Sequence, residues 1–234
     1  MNRKNNISTL NQSVICLLGI LAFWAIFTNP GIAAAEETVS LTELVNRLQG
    51  NYEKLSDVKS YFVQETTIKS LGKTEREEGE FFFKNPGRML WNYLKPKAKK
   101  LIINPQTTWL YVPDDGVAYT QSTESIMKSR ISVKFFTGLA RIQDEFEIRF
   151  ASPSPVDAQG NYLLDLTAKE PDAALKKLSM TVDKDRYYMT QFSFTDAYGN
   201  TTRIRLRNIQ WNPGLSEGIF SFRPPAGVET VRVP

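Results

Sequence analysis

Gly79-Glu80-Phe81-Phe82-Phe83-Lys84-Asn85-Pro86-Gly87-Arg88-Met89-Leu90-Trp91-Asn92-Tyr93 is the stretch that decides the fold. Two aromatic-rich segments flank a Lys-Asn-Pro-Gly reversal, since proline lacks the amide donor of a strand ladder and glycine accepts positive φ. Side chains alternate across a strand, so Phe81 and Phe83 share one face, as do Met89, Trp91 and Tyr93 on the next strand. The pattern predicts a hairpin with large apolar groups gathered on one side and no catalytic side chain among them. Such a sheet either closes a core or offers an apolar surface to a ligand.

Upstream, the first 35 residues read as an export signal. Arg3 and Lys4 form a positive start, Val14 to Phe27 is an unbroken apolar run, and Ala33-Ala34-Ala35 supplies small residues for cleavage. The run falls short of the ~20 residues that span a bilayer. Cleavage after Ala35 is expected, leaving one domain over 36–234. Cys16 is the only cysteine and lies inside the apolar run. Ile15 precedes it, where a lipid-anchored protein has a small residue, so the mature chain is expected to carry no thiol, disulfide or lipid anchor. Loss of Arg3 and Lys4 leaves 27 basic residues against 25 acidic ones. That near-neutral balance argues against nucleic acid as a partner.

Downstream of the signal, Ser40-Leu41-Thr42-Glu43 has capping-box spacing, and Leu41, Leu44, Val45, Leu48 and Tyr52 repeat at helical period. From Val58 the period becomes two. Strands are predicted over 60–69, 77–84, 88–94, 99–103, 107–112 and 117–121, then 145–151, 162–168, 177–183, 187–195 and 201–211. A second helical stretch with Ile126, Met127, Ile131, Phe135 and Phe136 interrupts them. Asp183-Lys184-Asp185 and Tyr198-Gly199-Asn200 read as hairpin turns. Phe220-Ser221-Phe222 reads as a closing strand stopped by Pro224 and Pro225. The fold class is α+β, mainly antiparallel β: one large sheet of hairpin-paired strands with few helices.

Catalytic chemistry finds little support. The mature chain has no His or Cys, which removes most transition-metal sites and the usual general base. Glu77-Glu78 and Asp114-Asp115 are turn and strand-edge carboxylates, and Lys128-Ser129 are merely adjacent. Taken singly, Met89, Trp91, Trp109 and the phenylalanines are accounted for as core. The case for a ligand surface is architectural: a sheet of this many strands has two faces, and two modest helices cover only part of one. The uncovered concavity suits an acyl chain.

Several short elements, in order, resemble the LolA-type periplasmic carriers of outer-membrane lipoproteins. They are Phe62-x-Gln64, the Gly79 to Trp91 block, Lys95-Pro96, Thr107-Thr108-Trp109-Leu110-Tyr111 with Pro113, and Phe220-x-Phe222-x-Pro224-Pro225-x-Gly227-Val228. The resemblance implies an incomplete, unclosed β-barrel covered by a helical lid, with an apolar cavity for lipoprotein acyl chains. It implies no enzyme activity, cofactor or metal, and it implies a monomer. The partners it implies are acylated lipoproteins, an inner-membrane ABC transporter complex that releases them and an outer-membrane lipoprotein receptor. By position, Met89, Trp91 and Leu101 fall in the cavity, and Ile126, Met127, Ile131, Phe135 and Phe136 in the lid. The family usually has Arg directly before the turn proline, thought to help close the empty cavity. Asn85 stands there, with Arg88 nearby, so these two are the gating candidates. Competing readings are a carrier of free lipid or glycolipid and an RseB-like sensing domain. The lipid-anchored receptor of the same fold is disfavoured by the missing lipobox cysteine.

Overall fold

A computed structural model describes residues 39–125, 142–169 and 177–233. Helix α1 (Leu41–Glu53) starts at Ser40, whose Oγ accepts the Glu43 amide at 3.2 Å. The Glu43 carboxylate pairs with Arg47 one turn on, instead of returning to Ser40 as a full capping box requires. Leu44, Val45 and Leu48 are buried, and Leu41 and Tyr52 pack beside them, so the predicted apolar stripe is the face that meets the sheet.

Twelve strands follow: β1 (Asp57–Ile68), β2 (Lys73–Lys84), β3 (Arg88–Lys95), β4 (Lys99–Ile103), β5 (Thr107–Val112) and β6 (Val117–Ser122). After the short helix α2 (Ile142–Glu145) come β7 (Phe146–Phe150), β8 (Tyr162–Ala168), β9 (Lys177–Val182), β10 (Met189–Thr195), β11 (Thr201–Trp211) and β12 (Glu229–Arg232). They form one sheet in the order β12-β6-β5-β4-β3-β2-β1-β11-β10-β9-β8-β7, antiparallel except for the parallel β12–β6 pair. β12 and β7 are its two ends, so the sheet is unclosed. It is nevertheless strongly curled. β3 and β10 are four strands apart, roughly 19 Å in a flat sheet, yet Trp91 and Phe192 line the same small void.

Burial follows the predicted alternation. Phe81, Phe83, Met89, Trp91 and Tyr93 all face the concave core with Phe62, Leu164, Met180, Phe192 and Ile204. Gly79 opens the deciding stretch for a steric reason. A Cβ there would lie 2.1 Å from the Asn92 carbonyl oxygen and 2.9 Å from the Phe62 ring. The space is taken by Phe62, edge-on to both Trp91 and Tyr93 at 4.9 Å.

Three expectations need correction. The closing strand lies after the prolines, not at 220–222: Glu217–Phe220 is a 3₁₀ turn, and β12 pairs with β6. Proline has no amide to donate, so the ladder resumes only beyond it. Tyr187 is not in β10, because it takes a φ of 57° in a turn whose Arg186 amide donates to Asp183. Trp109 faces away from the concave core, against Phe222 at 5.5 Å. The second helical stretch, with Ile126, Met127, Ile131, Phe135 and Phe136, lies outside the described residues, as do Lys128 and Ser129.

Trp109 and Phe222 belong to a second apolar layer. The C-terminal segment crosses the convex face of β3 to β6, where Ile102, Ala118 and Phe220 are buried outside the concave core. Its start is fixed by Asp57, whose carboxylate accepts the Gly214 and Leu215 amides at 3.0 Å each. Lys84 Nζ lies 3.6 Å from the same carboxylate and donates to the Leu215 carbonyl at 2.7 Å. Two hairpin loops share the sequence Asp-Ala-x-Gly-Asn, at 157–161 and 196–200. In each, the Asp carboxylate accepts two amides and the Asn side chain of its own loop. Both glycines have a φ of 83°, which a Cβ would strain.

Candidate functional site: an apolar void under the first helix

The concave face changes character along its length. At one end the last turn of α1, the start of β1 and the ends of β2 and β11 surround a void of about 30 Å³. Tyr52, Leu55, Phe83, Trp91, Phe192 and Trp211 are among its walls, and nearly all of the lining is carbon. That is room for roughly two or three water molecules. A chain of methylenes is larger than this void and enters it only if side chains move aside. Its walls offer dispersion and water exclusion, not directional bonds, which suits a ligand that is held and later released.

Aromatic rings seal one side. Tyr188 stacks on Trp211 at 3.7 Å with planes 18° apart, and Tyr52 meets Tyr188 edge-on at 6.0 Å. Polar bonds then tie α1 to the β9–β10 turn. Arg47 donates to the Tyr187 hydroxyl at 2.8 Å, and Asn51 Nδ2 donates to the Arg186 carbonyl at 2.7 Å and the Tyr187 carbonyl at 3.2 Å. Burial pushes the Tyr52 phenol well above its ordinary range.

At the other end the concave face turns polar at Gln64. Tyr93 donates its hydroxyl to Gln64 Oε1 at 3.1 Å, and Gln64 Nε2 donates to Glu77 at 3.1 Å. Lys99 completes the cluster, 2.6 Å from Glu77 and 4.3 Å above the Tyr93 ring. The Phe62-x-Gln64 spacing thus has a physical basis: two residues apart on one face, the first fills the core and the second ends it. Desolvation, reinforced by Glu77, raises the Tyr93 phenol far above its ordinary range.

The predicted site residues are distributed as follows. Trp91 lines the void. Met89 is buried two residues away on the same face, and Leu101 sits opposite Trp91 in the β3–β4 register, half-buried against the core. Asn85, in the reversal, donates its side-chain amide to the Leu55 carbonyl. It therefore clamps the α1–β1 connection that carries a wall residue. Arg88 turns toward the C-terminal segment, 3.7 Å from the Glu217 carboxylate and 3.4 Å from the Pro86 carbonyl. Tyr188, Phe192, Leu206 and Trp211 were not singled out from sequence. The alternation of β10 and β11 does place Phe192 and Leu206 inward, but nothing local tells which inward residues meet across the curl.

The Glu77-Glu78 pair is occupied by structural contacts. Glu77 serves the Gln64–Lys99 cluster, whereas Glu78 accepts from Tyr61 at 2.7 Å and pairs with Arg76 at 2.8 Å. Among the described residues no group of three or more His, Cys, Asp or Glu could hold a metal ion.

The sequence pattern of the family described as outer membrane lipoprotein carrier protein LolA matches residues 53–223. The chain belongs to this family. Its relatives include the outer-membrane lipoprotein carrier protein of Methylobacillus flagellatus, 26% identical over 80% of this chain and 88% of that one. That of Bordetella avium is also 26% identical, over 96% of this chain and all of the relative. Among solved structures, an uncharacterized conserved protein from Thermus thermophilus superposes with a TM-score of 0.53 at 13% identity. It covers 82% of this chain and 98% of its own, a likeness of fold alone. The LolA match covers the Gln64–Tyr93 cluster and every wall of the void named above except Tyr52, which lies one residue before the match begins.

Proposed function

We propose that this protein is a periplasmic chaperone that holds the acyl chains of lipoproteins released from the inner membrane and delivers them to the outer membrane. The observation that carries the reading is the apolar void on the concave side of an unclosed sheet, in a chain of the lipoprotein-carrier family. An inner-membrane ABC transporter complex supplies the cargo and an outer-membrane receptor takes it. The carrier works as a monomer without cofactor, nucleic acid or catalytic step. Residues 1–35 are its export signal and 36–234 its working domain.

In this reading Trp91 is a wall of the acyl site, and Met89 and Leu101 lie behind and beside it. Ile126, Met127, Ile131, Phe135 and Phe136 form the lid. Asn85 acts on gating through Leu55, and Arg88 through the C-terminal segment. Weak apolar contacts with no polar clamp permit transfer at each end of the route.

The test is native mass spectrometry of the protein recovered from the periplasm of cells that release lipoproteins normally. A one-to-one complex with a triacylated protein is the expected result. A mass increment matching a free lipid or glycolipid moves the cargo to that class. Recovery bound to a regulatory protein, with no lipid, replaces the carrier reading with a sensing one.

A further inference from the structure

We propose that the Gln64–Tyr93 pair, backed by Glu77 and Lys99, is a polar floor that sets how long an acyl chain this carrier accepts. The inference rests on the carrier reading and adds to it a determinant of cargo specificity. A chain entering at the void follows the apolar strip of Phe83, Trp91 and Phe62. The next inward positions are Tyr93 on β3 and Gln64 on β1, and there carbon gives way to bonded polar atoms.

Two features make this a stop and not merely a rim. Tyr93 is 9% exposed, and its hydroxyl is spent on Gln64 at 3.1 Å. Gln64 is in turn spent on Glu77 at 3.1 Å, and Glu77 on Lys99 at 2.6 Å. A methyl terminus that pushed between Gln64 and Tyr93 would break their bond and set carbon against half-buried polar groups that are already paired. A site built on paired polar groups rejects an occupant that strands them far more strongly than an apolar wall rejects one extra methylene. The ring of Tyr93 meets Phe62 edge-on at 4.9 Å and lies 4.3 Å from the Lys99 ammonium, so swinging away breaks both contacts.

The test compares the wild-type protein with Gln64→Leu/Tyr93→Phe, in which both partners become apolar groups of nearly the same shape. Glu77 loses the Gln64 amide but keeps Lys99, and a thermal melt verifies that the double variant is folded. The probes are synthetic diacylated lipopeptides of one peptide sequence with saturated chains of increasing length. For the wild type, affinity is expected to rise about fourfold per methylene buried, then stop rising once the chain end meets the floor. In the double variant the rise continues past that length, and the longest probes bind at least about tenfold tighter than to wild type. An identical break point in both proteins overturns the floor while leaving the carrier intact. Failure of both proteins to bind any probe, with both folded, overturns the carrier reading itself.

Discussion

Replacing Asn85 by Ala tests whether the reversal before Pro86 controls the apolar site. The Asn85 amide donates to the Leu55 carbonyl, and Leu55 is a wall of the void. Deletion removes one hydrogen bond and strands a half-buried carbonyl, together about 1–2 kcal/mol. For a domain of this size that lowers Tm by about 3–6 °C. The loss falls on the conformation described here, in which the bond fixes a connection that must yield if the void is to expand. Apparent affinity for an acyl probe should therefore rise, by up to about tenfold for 1.4 kcal/mol. Differential scanning calorimetry and displacement of a fluorescent fatty acid read the two effects separately. Asn85→Asp, which keeps the shape but puts an acceptor against the carbonyl, should behave at least as strongly. A Tm unchanged within a degree refutes the energetic argument. A lowered Tm with unaltered probe affinity refutes the gating argument, since the bond would then survive opening.

Three further outcomes follow from the same contacts. Gly79→Ala should fail to accumulate as folded protein, or lose more than about 4 kcal/mol, because the added Cβ meets Asn92 backbone at 2.1 Å; a melt within a few degrees of wild type contradicts it. Asp57→Ala should cost about 2–3 kcal/mol and expose the C-terminal segment to limited proteolysis at 213–228, as it removes the acceptor of two amides and the partner of Lys84; an unchanged cleavage pattern counts against the junction. The raised phenols of Tyr52 and Tyr93 fix the sign of the alkaline response. The unfolded chain ionises near 10.0 and the folded one only above it, so stability is complete below that pH and falls as pH rises past it. Ultraviolet titration should show these two tyrosines ionising only with unfolding; full tyrosinate with native circular dichroism retained rules this out.

Much of the fold was legible because its causes are local. Alternation placed Phe81, Phe83, Met89, Trp91 and Tyr93 on one face, and Pro86-Gly87 set the reversal between their strands. Ser40 and the helical stripe fixed α1. Tyr198-Gly199-Asn200 was readable as a turn, whereas the loop at 157–161, which shares its Asp-Ala-x-Gly-Asn sequence and its bonding, was not singled out. The β12 pairing was not readable: its partner β6 is more than a hundred residues away, and four residues of Glu-Thr-Val-Arg carry no signal of which edge they will meet.

The candidate site divides along the same line. By itself the sequence determined that a greasy inner face exists, that Trp91 is on it, and that Gln64 lies on the same face as Phe62. Only the tertiary structure decided that β3 and β10 curl to face each other, that Trp211 and Tyr188 seal the void, and that Asn85 reaches Leu55. The physical reason is range. Strand parity and helical period are fixed by backbone geometry over a few residues, whereas the depth and closure of a cavity depend on contacts between segments brought together by the curl of the whole sheet.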